Sequence, residues 1–250
     1  VDVVFLCTPH GASAPYARLV LAAGAKCVDL SADFRLRDLA VYENWYGTHL
    51  APELLPDAVY GLTEIYRQGV AGAQLVANPG CYPTGPLLAL YPLMLEGIVA
   101  GDKIIIDAKS GVSGAGAKPS ARTHFVGVHD NCSAYNVGRS HRHVPEIEQE
   151  LRLYGKRPFA VVLSPHLLPT SRGILSTIYV SVDRGWNQNR LLSLWKETYE
   201  HEPFVQVLGA GKMASLAHVV NTNRCTMSVS SAGIEGEFIL VTTIDNLLKG

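Results

Sequence analysis

The chain has 250 residues, of which 48% are hydrophobic and 17% charged. This excludes a disordered chain, which carries less apolar and more charged content, and suffices for one large domain or two modest ones. With 21 basic residues against 22 acidic ones the formal net charge is -1. That balance excludes a general pull toward nucleic acid or an anionic membrane, while a local basic pocket for a phosphate stays possible.

Residues 1–6 read as a buried strand, broken by Thr8-Pro9-His10-Gly11. A helix is expected over about 15–23, ending at Gly24, and the next strand over 26–30. Strand–helix–strand alternation with short connections predicts a parallel sheet covered by helices. Residues 31–62 read as loop-rich. A short strand over 75–77 ends at Asn78-Pro79-Gly80-Cys81, and Pro83 suits the first turn of a helix running to about Glu96. Cys81 is therefore expected at a strand-to-helix turn.

The second half changes character. A strand over 103–108 runs into the small-residue loop 110–116. A helix is expected over 144–154, strands over 159–163, 174–182, 225–231 and 238–244, and an amphipathic helix over 191–200. Long strands with fewer helices predict an α+β domain on a mixed or antiparallel sheet. Gly209-Ala210-Gly211-Lys212 reads as a turn and residues 246–250 as the start of a helix. The predicted fold is α/β: a parallel-sheet domain over 1–81 (with 246–250), then an α+β domain over 82–245.

The five cysteines Cys7, Cys27, Cys81, Cys132 and Cys225 are odd in number and widely spaced, with no CxxC pair. They form neither a disulfide framework nor a zinc spacing, and they suit a reducing, cytoplasmic setting, or an organelle stroma or matrix in a eukaryote. No apolar run reaches the roughly 18 residues of a membrane span. Residues 1–6 contain Asp2 and follow no basic stretch, so no signal peptide is read.

Cys81 is the leading nucleophile, because a helix N-terminus stabilises a thiolate. Most free cysteines are buried and structural, and that reading is kept for the other four. His141-Arg142-His143 before Val144-Pro145-Glu146 offers an acid/base and an anion contact, against the plainer reading of a surface cluster. A metal site needs a third ligand that no spacing supplies. Small residues over 110–116 allow close backbone approach to a ligand, and their N–H groups can cradle an anion, although the pattern is not GxGxxG. Arg35, Arg37, Lys118, Arg122 and Arg172 lie in or beside loops, where each can bind carboxylate or phosphate or simply be solvated.

These segments together resemble the N-acetyl-gamma-glutamyl-phosphate reductases. The resemblance is carried in order by Asp29-Leu30-Ser31-Ala32-Asp33-Phe34-Arg35-Leu36, Tyr60-Gly61-Leu62-Thr63-Glu64, Ala77-Asn78-Pro79-Gly80-Cys81-Tyr82-Pro83-Thr84 and residues 107–116. It continues through His141-Arg142-His143-Val144-Pro145-Glu146-Ile147, Ser164-Pro165-His166-Leu167 with Arg172-Gly173-Ile174, and residues 244–250. It implies a Rossmann-type NADP domain followed by an α+β catalytic and oligomerisation domain, as in aspartate-semialdehyde dehydrogenase. It implies NADP(H) as cofactor, a small-molecule acyl phosphate as substrate and a homodimer or homotetramer, with no nucleic-acid or membrane partner and no metal.

The implied reaction is reduction of N-acetylglutamyl phosphate to the semialdehyde through a thioester on Cys81, in arginine biosynthesis. His141 or His143 would be the acid/base. Arg142, Lys118, Arg172 and Arg35 are the expected substrate contacts, Arg35 alternatively bracing the 31–36 turn. Ser110, Gly111, Ser113, Gly114, Gly116 and Asn246 are expected at the nicotinamide end of the cofactor. The family's opening strand with its Gly-rich phosphate loop, and its closing helix, are not matched here, so the chain reads as an internal piece. Ala117 stands between the Gly-rich loop and Lys118, where the family has a basic residue directly, and Thr63 replaces a commoner proline. Rival readings are an aminoadipyl-phosphate reductase, a Cys–His hydrolase or acyltransferase, and an inactive copy.

Overall fold

The computed structural model describes all 250 residues, which divide into two units, Val1–Gly80 and Cys81–Gly250. The first unit is built from β1 (Val3–Leu6), α1 (Ala14–Ala22), β2 (Lys26–Asp29), α2 (Leu39–Tyr46), β3 (Ala58–Tyr60), α3 (Thr63–Gly72) and β4 (Leu75–Ala77). The strands form one sheet in the order β1-β2-β4-β3, every pair parallel. Its core gathers Leu6, Ala17, Cys27, Phe34, Leu55 and Leu75, with Cys27 and Leu75 fully buried. Burial pushes the Cys27 thiol up to about 11, with the Asp29 carboxylate adding to it, so this cysteine is an inert packing residue.

β1 pairs with β2, with Leu6 buried and Phe5 65% exposed. Two sequence expectations change further along the chain. The 31–62 stretch is not mainly loop. Asp38 caps α2 by accepting from the N–H groups of Ala40 and Val41, a 3-10 turn covers Pro52–Asp57, and β3 follows. Helix α3 is an addition, kinked at Tyr66 and without a fully buried side chain.

In the second unit come α4 (Cys81–Glu96), β5 (Val99–Ser110), α5 (Phe125–Val128), β6 (Ser133–Ala134), α6 (Val144–Arg152), β7 (Ala160–Leu167), β8 (Ile174–Val182), α7 (Gln188–Thr198), β9 (Val205–Val207), β10 (Cys225–Ser231) and β11 (Glu237–Ile244). Seven strands form a mixed sheet in the order β6-β7-β5-β8-β11-β10-β9, in which β5–β7 and β9–β10 pair in parallel and the rest antiparallel. Alternation along β7 buries Val161, Leu163 and Leu167 on one face and leaves Val162, Ser164 and His166 half-buried on the other, as a strand's two-residue period requires. Helices α4, α6 and α7 lie against the sheet.

Helix α4 carries Cys81 and is apolar nearly all round, as a central helix should be. Pro92 lies inside it and removes the N–H that the Leu88 carbonyl would receive. The Tyr199 hydroxyl of α7 donates to that carbonyl instead at 2.6 Å, and the Trp195 indole N–H donates to Ala89 O at 2.9 Å. Gly85 lets the helix approach β11 closely, since a Cβ there would stand 2.6 Å from Thr242 Oγ1. The middle of α4 is thus fixed against α7 and β11, one to two turns after Cys81.

Residues 246–250 make one turn, in which the N–H groups of Lys249 and Gly250 both donate to Asp245 O. Residues 209–212 are a turn as expected, closed by Lys212 N–H donating to Gly209 O at 3.1 Å. No helix is long and apolar enough to cross a membrane.

Candidate active site

In the second unit, Cys81 is the first residue of α4 and is half-buried. A helix start concentrates the positive end of the backbone dipole, which favours thiolate over thiol. The chain's last turn packs on this residue: a Cβ on Gly250 would lie 3.0 Å from Cys81 Cβ.

On the other side stands an aromatic cluster. The Tyr82 and Tyr135 hydroxyls are 2.7 Å apart. The Tyr82 ring meets His141 edge-on at 5.3 Å between centroids and His143 at 5.9 Å, and the two imidazoles are 4.9 Å apart. Arg122 lies over the Tyr135 ring, its Cζ 4.7 Å from the centroid. Burial first, then the Tyr135 hydroxyl, raises the Tyr82 phenol, with Cys81 contributing. Both tyrosines are therefore neutral hydrogen-bonding groups. Sequence reasoning missed Tyr135, which no motif or spacing marks, and treated Tyr82 only as turn punctuation.

The two histidines differ. Both are 6% exposed. His141 Nδ1 accepts the backbone N–H of His143 at 3.1 Å, so its proton sits on Nε2. Burial, aided by the neighbouring Arg142 charge, lowers His141 to about 4. It is a neutral donor across the physiological range. His143 caps α6, with Pro145 in the first turn. Arg142 between them is exposed.

The 110–116 loop is held by backbone pairing. Gly111, Val112 and Ser113 donate their N–H groups to the carbonyls of Gly173, Thr170 and Ser171, and Gly114 and Gly116 donate to Gly111 and Ser113. These N–H groups are thus spent on the fold, which overturns the expectation that they cradle an anion. Ser110 is buried, its hydroxyl donating to Gly111 O. The pairing explains Gly111, whose Cβ would come within 2.7 Å of the Arg172 backbone.

Asn246 is 5% exposed and clamps this loop. Its Oδ1 accepts the Gly173 N–H at 2.7 Å, and its Nδ2 donates to Ser113 Oγ at 3.0 Å. A Cβ on Gly114 would stand 3.6 Å from that Nδ2 and 2.7 Å from Ser110 Oγ, filling the space beside it. An oriented amide with a second N–H, next to a loop of small residues with three glycines, fits the carboxamide and ring of a nicotinamide.

The remaining predicted residues scatter. Arg172 pairs with the fully buried Asp245 at 3.5 Å, and that carboxylate also accepts from the N–H groups of Asn221 and Leu247. Lys118 lies on the exposed 114–122 stretch. In the first unit Arg35 is 6% exposed, and its guanidinium donates to the carbonyls of Asn78 at 2.7 Å and Leu30 at 2.9 Å. No three His, Cys, Asp or Glu side chains gather in metal-ligand geometry.

Comparison with known proteins follows the same division. Residues 1–73 match the family described as semialdehyde dehydrogenase, NAD binding domain, and residues 81–246 match semialdehyde dehydrogenase, dimerisation domain. The chain is 50% identical to N-acetyl-gamma-glutamyl-phosphate reductase of Desulforudis audaxviator (strain MP104C) and 47% identical to that of Symbiobacterium thermophilum, covering all of this chain and 72% of each relative. Aspartate semialdehyde dehydrogenase II from Vibrio cholerae shares the fold, with a TM-score of 0.73 at 16% identity over the whole chain and 76% of that structure. The chain belongs to the semialdehyde dehydrogenase family, among the N-acetyl-gamma-glutamyl-phosphate reductases.

Proposed function

We propose that the protein reduces N-acetyl-L-glutamyl 5-phosphate to N-acetyl-L-glutamate 5-semialdehyde with NADPH, through a thioester on Cys81. The observation that carries this reading is a half-buried thiol at the first residue of a central helix, beside a packed Tyr82–His141–His143 cluster. The acyl phosphate is a mixed anhydride with a good leaving group. The Cys81 thiolate attacks its acyl carbon, the C–O bond to phosphate breaks, and the acyl group stays on sulfur.

NADPH, when bound, supplies the hydride that the thioester carbon accepts. Asn246 would hold the carboxamide, with Ser110, Gly111, Ser113, Gly114 and Gly116 forming the wall behind it. Parallel sheets such as that of the first unit bind dinucleotides at the carboxyl ends of their strands.

His143 is assigned as the acid/base. It holds a proton for the oxyanion of the thiohemiacetal and takes it back as the thiolate leaves. His141, lowered to about 4, is too weak a base for that and serves as a fixed Nε2–H donor. Arg142 and Lys118 are assigned to the substrate's phosphate or carboxylate, where bidentate Arg contacts are strongest. Arg172 and Arg35 are assigned to bracing, since their partners are Asp245 and two backbone carbonyls.

A homodimer through the open face of the seven-stranded sheet is part of the same reading. Ile105, Val162, Tyr179, Ile239 and Val241 all stand on that face, and Tyr179 is 42% exposed. A reducing compartment such as the cytoplasm suits five free thiols.

The test runs in reverse: aldehyde, inorganic phosphate and NADP are supplied, and NADPH absorbance is followed for the wild type and Cys81→Ala. Phosphate-dependent NADPH formation that disappears in the variant supports the reading. Turnover of the acyl phosphate without nucleotide would instead favour a hydrolase. Comparing acetylglutamate and aminoadipate semialdehydes separates two substrates that differ by one methylene, a difference worth only about 1–3 kcal/mol in a pocket.

A further inference from the structure

The segment that carries the histidines runs from β6 into α6 alongside β7, and a buried carboxylate lies beneath it. Gly138 bridges to Leu163 through paired backbone bonds of 2.8 and 2.9 Å, and Tyr135 N–H donates to Pro165 O. The next residue, Arg139, stands two positions before His141. Its guanidinium forks onto Glu148, with Nη1 on Oε1 and Nη2 on Oε2, and Nη1 also donates to Val161 O at 3.1 Å. Glu148 is 4% exposed and belongs to α6. Its Oε1 also takes the Val161 N–H at 2.8 Å, and its Oε2 takes Arg152 Nη2 at 2.9 Å. One carboxylate thus ties together the strand, the helix that His143 caps and the entry to the histidine turn.

We propose that Glu148, acting through Arg139, is a positioning residue that sets the placement of the His141–His143 turn for the acid/base step. The proposal rests on the assignment of His143 to that step. Arg139 and Arg152 share the same carboxylate and are similarly exposed, with side-chain accessibilities of 51% and 58%. Only Arg139 leads into the turn; Arg152 sits four residues along the same helix from Glu148. Arg139 makes two bonds to Glu148 and one to Val161 O against a single bond from Arg152, so a purely structural role lowers the melting temperature more for Arg139→Ala but leaves the pH–rate profiles of the two variants alike. A positioning role makes them different, because small misplacements of a reacting group cost rate rather than stability.

The experiment compares Arg139→Ala, Arg152→Ala, Glu148→Gln, Arg139→Lys and His143→Gln in the full-length enzyme, reading kcat, KM, the pH dependence of kcat/KM, and melting temperature. Arg139→Ala and Glu148→Gln are expected to lower kcat about 10- to 100-fold with KM for both substrates nearly unchanged, and to shift the pH–rate profile. Arg152→Ala is expected to keep the wild-type kcat and profile while melting below the wild type. Arg139→Lys, which keeps the charge but not the fork, should regain the melting temperature and only part of kcat. Equal kcat for Arg139→Ala and Arg152→Ala, with His143→Gln strongly impaired, overturns the positioning role alone. A fully active His143→Gln overturns the assignment beneath it, and the proposal with it.

Discussion

In the first unit the Ser31–Leu36 segment turns its charges onto backbone. Asp33 is fully buried, and its carboxylate accepts the N–H groups of Gly11, Ser13 and Ala14 and the Tyr42 hydroxyl. Arg35 is spent on two carbonyls. In the second unit His141-Arg142-His143 is arranged differently. Arg142 is exposed between two buried rings that pack on Tyr82, the neighbour of Cys81 in sequence. Both segments are polar, short and placed at the entry to structure, yet the first spends its charges mainly on backbone while the second packs two imidazoles on Tyr82 and leaves Arg142 exposed.

The contrast is broken most severely at Cys81. Cys81→Ala should lose activity by roughly four orders of magnitude or more with an unchanged melting temperature, read by the reverse assay beside thermal unfolding. His143→Gln should cost about 100- to 10,000-fold in kcat, again without unfolding. Asp33→Ala should behave oppositely. Three backbone donors lose their acceptor, so unfolding in denaturant should show about 3 kcal/mol of lost stability, and activity should follow the folded fraction. An Asp33→Ala protein that folds normally and lacks only activity would dissolve the comparison.

Smaller effects sharpen it. His141 binds its proton at about 4 in the folded protein against an ordinary 6.5. The unfolded chain therefore holds more protons between those values, and folding stability is lost as pH falls from 6.5 toward 4, by on the order of 3 kcal/mol. His141→Asn, whose carbonyl can still accept the His143 N–H, should flatten that part of the stability–pH curve. Last, Asn246→Ala should raise KM for NADPH about tenfold with little change in KM for the acyl phosphate, in initial-rate kinetics.

Much of this was legible in the sequence, for reasons specific to each segment. The strands 174–182 and 225–231 coincide with β8 and β10: in β8 Ile178, Val180 and Val182 alternate with half-buried or exposed residues, and β10 is a short run buried over its first five residues. Helix α3 was not legible: it contains Gly69 and Gly72, a kink at Tyr66 and no fully buried side chain, so no apolar stripe announces it. Helix α2 had its signals, with Asp38 as cap and Gly47 as stop, but eight residues show little periodicity. At the site, Cys81 and the histidines were marked by turn residues and helix punctuation. Tyr135, Arg139 and Glu148 were not, because what assigns them is contact between segments distant in sequence: Tyr135 meets Tyr82 53 residues back, and Arg139 meets Val161 22 residues on. The 110–116 loop misled in detail, since a small-residue stretch looks the same whether its N–H groups face a ligand or pair with Thr170–Gly173.

The central claim is a covalent one, and mass spectrometry reads it directly. The full-length protein is mixed with acetylglutamyl phosphate in the absence of nucleotide, quenched in acid and digested. The account predicts an acetylglutamyl adduct on the peptide carrying Cys81, released as aldehyde when NADPH is added before quenching, and no adduct in Cys81→Ala. An adduct on another residue, or active turnover with Cys81 unmodified and dispensable, would contradict it.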